Sequence, residues 1–125
     1  MEICIGILKS AKKLQKNKTS FNRLRITRSY YAMYHAARAV VFLVKKGDDH
    51  ESHSTLPEHL PKDFPDRHAW HNELKNARFE RNRADYDPYP KGERGFSGTA
   101  HATYHQADAF IKVARVYLRK KGCSL

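Results

Sequence analysis

The chain has 125 residues, 40% of them hydrophobic, which suffices for one buried core and makes residues 1–125 a single domain. Lys and Arg number 24 against 13 Asp and Glu, a formal net charge of +11, so a polyanion or an acidic protein is the natural partner. The apolar run Val40 to Val44 falls far short of the roughly 18 residues that cross a bilayer, and Glu2 precedes Lys9, Lys12 and Lys13, the reverse of a secretory signal; a cytoplasmic protein with no membrane segment is expected.

Taken in chain order, Ile3, Ile7, Leu8, Ala11 and Leu14 recur at helical spacing until Lys16-Asn17-Lys18-Thr19 breaks the pattern. Ser20 is placed to cap a second helix whose inward positions are Ile26, Tyr30, Met33, Ala37, Val40 and Val44, with Gly47 as its stop. Ala32, Ala36 and Ala39 line one flank of that helix with small side chains, which permits close approach within the chain or across a dimer. Residues 48–65, with prolines at 57, 61 and 65, leave room for a short extra helical turn at most. A third helix is expected from about Asp66 to Ala84, then a loop over 85–98 containing Tyr86, Tyr89 and Phe96. Ser97 or Thr99 caps a fourth helix, with Ala100, Tyr104, Ala107, Ile111, Ala114 and Leu118 as its seam. No strand pattern and no internal repeat is present. The fold class is all-α, an up-down bundle of four main helices.

In the third helix Trp70, Leu74, Ala77, Arg81 and Ala84 form the inward stripe, which places a charge where the pattern calls for an apolar group. A guanidinium cannot shed its charge to escape burial, so Arg81 needs a carboxylate, a ring of acceptors or a bound phosphate. Asp85, one turn on, makes an intrahelical ion pair the plainest solution; an external phosphate is the alternative.

The run Ser29-Tyr30-Tyr31-Ala32-Met33-Tyr34-His35-Ala36-Ala37-Arg38-Ala39 resembles the signature helix of HEPN domains, and Arg81-Asn82-Arg83-Ala84-Asp85-Tyr86 resembles the same family's second landmark. The resemblance spans about Thr19 to Leu118. It implies a HEPN-like helical bundle, usually a homodimer, often paired with a minimal nucleotidyltransferase in toxin or defence systems and acting on RNA. Many such proteins are ribonucleases with an Arg followed after four to six residues by a His. Here Tyr86 stands at the nearest such position, and Asp87 and Pro88 at the next two. Metal-free RNA cleavage needs a group that exchanges protons near neutral pH, and free Tyr titrates near about 10. The resemblance therefore implies binding of RNA or of nucleotide phosphate by Arg78, Arg81, Asn82 and Arg83, with Arg81, Asp85 and Tyr86 at the position of the catalytic block and standard ribonuclease activity absent. The alternative is an active metal-independent endoribonuclease that takes a histidine from elsewhere in the chain or from the dimer mate.

No cofactor and no metal site is expected. Cys4 and Cys123 lack the spacing of a metal clip. His50 with His53 and His68 with His71 have metal-compatible spacing but read more simply as solvated surface pairs, and His101 with His105, one turn apart on the fourth helix and able to approach Arg81 only across the loop or from a dimer mate, reads more simply as part of a solvated face. Tyr30, Tyr31 and Tyr34 read as core and interface side chains before they read as base-stacking platforms, and Arg23, Arg25, Arg28 and Arg38 as a phosphate track or a solvated face.

Overall fold

The computed structural model describes residues 2–16, 22–45, 55–86 and 95–122, with side chains described over 5–12, 22–43, 55–85 and 95–122. The four expected helices are α1 (Glu2–Lys16), α2 (Asn22–Lys45), α3 (Arg67–Tyr86) and α4 (Ser97–Lys120), and among the described residues between α2 and α3 lies a 3₁₀ turn, Leu56–His59. No strand occurs among the described residues, and no helix there is long and apolar enough to cross a membrane. Both cysteines, Ser20, Gly47, His50 and His53, Tyr89 and the histidine-free positions Asp87 and Pro88 lie outside the described side chains.

The helix α2 is the axis of the fold and packs against each of the other three. Its inward positions Ile26, Tyr30, Met33, Ala37 and Val40 are all buried, and Ala32 and Ala36 are buried with them. Small side chains on this flank allow the neighbouring backbones to come close, as expected when a central helix is covered on several sides. Contacts fix the directions. Ser10 of α1 meets Arg28 of α2, Thr27 of α2 meets Asp85 of α3, and Ile26 clusters with Phe96 and Ala100 of α4. α3 therefore runs opposite to α2, and α4 opposite to α3. The starts of α2 and α4 and the end of α3 share one pole.

The segment joining α2 to α3 does more than connect. Leu56, Leu60 and Phe64 are buried in the main core, with the Phe64 ring 5.7 Å from Phe110 and 5.2 Å from Tyr117. Pro57 fits the first turn of the 3₁₀ helix, where its missing N–H is not needed. Arg67, at the start of α3, donates to the carbonyls of Leu60 at 2.8 Å and Glu58 at 3.0 Å, so the turn is fastened to the helix that follows it. Asp66 adopts φ 52°, a left-handed conformation that Asp tolerates, and its carbonyl accepts the Trp70 N–H at 3.0 Å.

One departure from the expected caps occurs at α4. The N-cap residue is Phe96 and no side chain caps the helix; neither Ser97 nor Thr99 takes that role. Phe96 is 2% exposed and belongs to the cluster with Ile26, Ala84 and Ala100, so burial of its ring fixes where the helix begins.

At the opposite pole the Asp63 carboxylate accepts from Tyr117 Oη at 2.9 Å and from Lys121 Nζ at 2.6 Å. The Lys121 bond first, and then the Tyr117 bond, hold Asp63 below the usual carboxylate range, while burial and the bond to Asp63 push Tyr117 up to about 12. A carboxylate whose folded pKa is depressed contributes stability above its unfolded value, near about 4, and that contribution is lost as pH falls through the folded value. Thermal melts of the parent chain and of Asp63→Asn are expected to differ at pH 7, with the parent higher, and to converge below the carboxylate range. A constant gap across that window would show that the charge of Asp63 is irrelevant to the fold.

Candidate functional site

Arg81 does point inward. It is 8% exposed as a residue, and its guanidinium carbon lies 5.3 Å from the Tyr30 ring centroid and 5.5 Å from that of Tyr31. Guanidinium planes are weakly hydrated and favour aromatic faces, so two rings from α2 lower the cost of removing this charge from water. Asp85 supplies the opposite charge, with Oδ2 3.8 Å from Arg81 Nη1. That separation is an ion pair and too long for a hydrogen bond.

Asp85 is in turn anchored to α2. The Thr27 hydroxyl donates to Asp85 Oδ1 at 2.6 Å, in preference to the Arg23 carbonyl at 3.2 Å. A bond of that length to a carboxylate is charge-assisted and fixes the acid's orientation. One turn earlier on α2, Arg23 Nε donates to the Ala84 carbonyl at 2.6 Å. The last four carbonyls of a helix have no partner within it, and Arg23 satisfies one of them at the negative end of the α3 dipole. Its guanidinium also lies 5.7 Å from the Phe96 ring. Thr27 and Arg23 thus close the junction that the Arg81 stripe opens.

The other expected site residues divide between two faces of α3. Arg78 and Arg81, three residues apart, both approach Tyr30 and draw its pKa down, but burial dominates and leaves the phenol raised to about 12. Arg83 faces elsewhere. It pairs with Glu80 at 3.4 Å and lies 5.9 Å from the Phe79 ring. Asn82 is half-buried between these faces. Tyr86 is the last residue of α3, and its side chain falls outside the described ones. The structure therefore gathers Arg78, Arg81 and Asp85 against α2 and sets Arg83 apart.

The first turns of α2 carry Arg23, Arg25 and Arg28 and the last turns of α3 carry Arg78, Arg81 and Arg83, against two carboxylates in those segments, Glu80 and Asp85; of the three on α2, Arg23 reaches α3, whereas Arg28 donates to Ser10 of α1. Arg25 is 6% exposed. It donates to Asn22 Oδ1 at 3.3 Å, yet its Nε and Nη2 have no partner among the described residues. Burial lowers its pKa, and Tyr104 opposes that shift. Neither α2 nor α4 has an acidic residue in its first turn. The partial positive charge of both helix starts therefore adds to the guanidinium field.

The histidines stand away from this junction or lack a metal geometry. His35 packs its ring 5.4 Å from Tyr34, and burial, reinforced by Arg38, pushes its imidazole below the ordinary range. The His101 and His105 rings meet edge to face, centroids 4.3 Å apart, on the exposed side of α4. His68 and His71 both lie within hydrogen-bond range of Asn72. No three His, Cys, Asp or Glu side chains converge among the described residues.

No protein-family model, no curated protein and no solved structure matches this chain. The residues of the pole are the ground on which a functional reading stands.

The junction carries a stability prediction. Arg81→Ala removes the packing on Tyr30 and Tyr31 and strips Asp85 of its counter-charge; a loss of roughly 2–4 kcal/mol in urea unfolding is expected. Thr27→Val removes one charge-assisted bond, and a loss of about 1–2 kcal/mol is expected. An Arg81→Ala chain with an unchanged urea midpoint would exclude the guanidinium as the clamp between α2 and α3.

Proposed function

We propose that this chain is a HEPN-type helical module that binds the phosphates of RNA or of a nucleotide at the pole where α2 and α4 begin and α3 ends. In this reading it belongs to a toxin- or defence-type two-component system with a minimal nucleotidyltransferase, works in the cytoplasm as a homodimer, and lacks standard ribonuclease activity. The observation that carries the reading is the arginine set of that pole, Arg23, Arg25, Arg28, Arg78, Arg81 and Arg83, beside two helix starts without an acid in their first turns. Such a pole presents a positive field, and helix starts offer N–H groups to anionic oxygens.

The division of labour within the set follows from exposure. The Arg81 side chain is 10% exposed and that of Asp85 29%, so an incoming phosphate meets Asp85 before it meets Arg81. Arg81 then acts as the fixed charge behind the surface and holds α2 to α3. Half-buried Arg78 and Arg83, with Asn82 between them, make the outward contacts. Binding phosphate does not require a proton shuttle, so Tyr86 in place of histidine leaves binding intact while removing the base that cleavage needs. Exposed Phe42 and Phe79 supply apolar surface for a second copy or for the nucleotidyltransferase.

Fluorescence anisotropy with a short single-stranded RNA tests this reading, using Arg78→Ala/Arg83→Ala so that Arg81 and the fold are kept. The expected results are weaker binding and a salt dependence whose log–log slope falls by about 0.7 for each phosphate contact removed, with the RNA intact after prolonged incubation. Unchanged affinity and slope would rule out this pole as the binding surface. RNA cleavage by the parent chain would favour the endoribonuclease alternative.

A further inference from the structure

Arg25 stands on a different side of α2 from the arginine that reaches α3. Its neighbour Ile26 clusters with Phe96 and Ala100 of α4, Arg28, three residues on, donates to Ser10 of α1, and Tyr104 of α4 is the ionisable group whose charge Arg25 feels. At 6% exposure Arg25 is one of two buried arginines among the described residues, the other being Arg81. The two are accommodated differently. Arg81 lies over two aromatic rings and faces Asp85, whereas no carboxylate among the described residues pairs with Arg25. A guanidinium withdrawn from water without a counter-charge is strongly unfavourable.

The orientation of this side chain is fixed from one end. Asn22, itself buried, accepts from Arg25 Nη1 at 3.3 Å and so sets the plane of the guanidinium. Nε and Nη2 form the opposite edge, where two N–H bonds lie side by side, and neither atom has a partner among the described residues. Such an edge grips two oxygens of one oxyanion at once. Ser29, one turn further along α2, is fully buried, and its hydroxyl also has no partner there. Buried polar atoms are nearly always satisfied, so the paired N–H groups of Arg25 point to an acceptor that the described residues do not supply.

Burial and charge choose that acceptor. An internal phosphodiester carries a nucleoside on each side and cannot bring its oxygens to a guanidinium this deeply buried. A terminal monoester hangs from one ester bond and presents three oxygens with a charge of about −1.5 to −2. The first turns of α2 and α4 hold no acid, and the arginines of the pole add to their field, which favours this ligand over a singly charged carboxylate. The Nε and Nη2 atoms are closed to bulk water, so seating the phosphate requires a covering side chain to turn aside.

We infer that the Arg25 edge is the seat of a terminal phosphate monoester, gripped by Nε and Nη2 while Asn22 holds the guanidinium in plane. The inference names the ligand group of the phosphate-binding reading and rests on it for RNA or nucleotide as the source of the phosphate.

Two measurements on the full chain test it: isothermal titration with adenosine 5′-monophosphate, adenosine, inorganic phosphate and acetate, and anisotropy with one short RNA bearing either a 5′-phosphate or a 5′-hydroxyl. One monophosphate should bind per chain and adenosine should not, and the phosphorylated RNA should bind about tenfold more tightly than its hydroxyl twin, the order expected of one added charge-assisted contact. Arg25→Gln should erase that preference. Arg25→Lys, which keeps the charge but cannot grip two oxygens side by side, should lose most of it. Arg78→Ala/Arg83→Ala should weaken both RNAs alike and leave the preference intact. Equal affinity for the two RNAs, with Arg78 and Arg83 still required, would overturn the seat and leave the pole reading standing. Monophosphate binding that needs Arg25, beside RNA binding indifferent to Arg78 and Arg83, would do the reverse. A preference that survives Arg25→Gln, inorganic phosphate binding as tightly as the monophosphate, or acetate displacing the monophosphate as readily as phosphate does would each overturn the proposal.

Discussion

A buried guanidinium fixes the relation of α2 to α3, and most of what is distinctive in this bundle follows from how its charge is accommodated. Arg81 sits over Tyr30 and Tyr31, facing Asp85, and Asp85 is held from the other side by Thr27. A charge in this position selects one register. Sliding α3 along α2 would carry Arg81 off its rings and break the Thr27 bond, leaving charge buried without compensation, which costs several kcal/mol. An apolar pair at the same place would tolerate such a slide more cheaply. The junction therefore contributes specificity of arrangement in addition to any net stability. It also brings the beginning of α2 beside the end of α3, where Arg23 satisfies the Ala84 carbonyl.

The two ends of the bundle differ as a result. At one end a carboxylate, Asp63, gathers Tyr117 and Lys121 and neutralises part of the local charge. At the other, arginines from α2 and α3 outnumber the acids beside them, and the helix starts lack an acidic first turn. Polarity of this kind orients an approaching anion before contact is made, because fixed positive charge next to low-dielectric protein projects its field outward. A groove between α3 and α4 interrupts that field with Glu73 and Glu80. The two regions adjoin along α3, where Glu80 of the groove pairs with Arg83 at 3.4 Å.

Helical periodicity made much of this visible in advance. The stripe Trp70, Leu74, Ala77, Arg81, Ala84 identified an inward arginine from spacing alone, and the same rule found the buried positions of α2. Two features escaped for physical reasons. Leu56, Leu60 and Phe64 have helical spacing, but prolines at 57, 61 and 65 forbid a continuous helix, so residues that reach the core looked like loop. The Thr27–Asp85 bond joins positions 58 apart in sequence, and no local pattern encodes such a pairing. The start of α4 was displaced from Ser97 and Thr99 to Phe96 because burial of one aromatic ring outweighs a side-chain cap. The groove depends on the divergence of two helices, which small residues at 77, 98 and 102 permit without announcing.

A heteronuclear NMR titration of the isotope-labelled full chain with a short single-stranded oligoribonucleotide most directly tests whether the arginine pole is the working surface. The largest amide shift changes should fall in residues 22–31, 78–85 and 96–101, and they should diminish together as salt is raised. Changes concentrated around Asp63, Lys120 and Lys121, or spread evenly over the helices, would contradict this account.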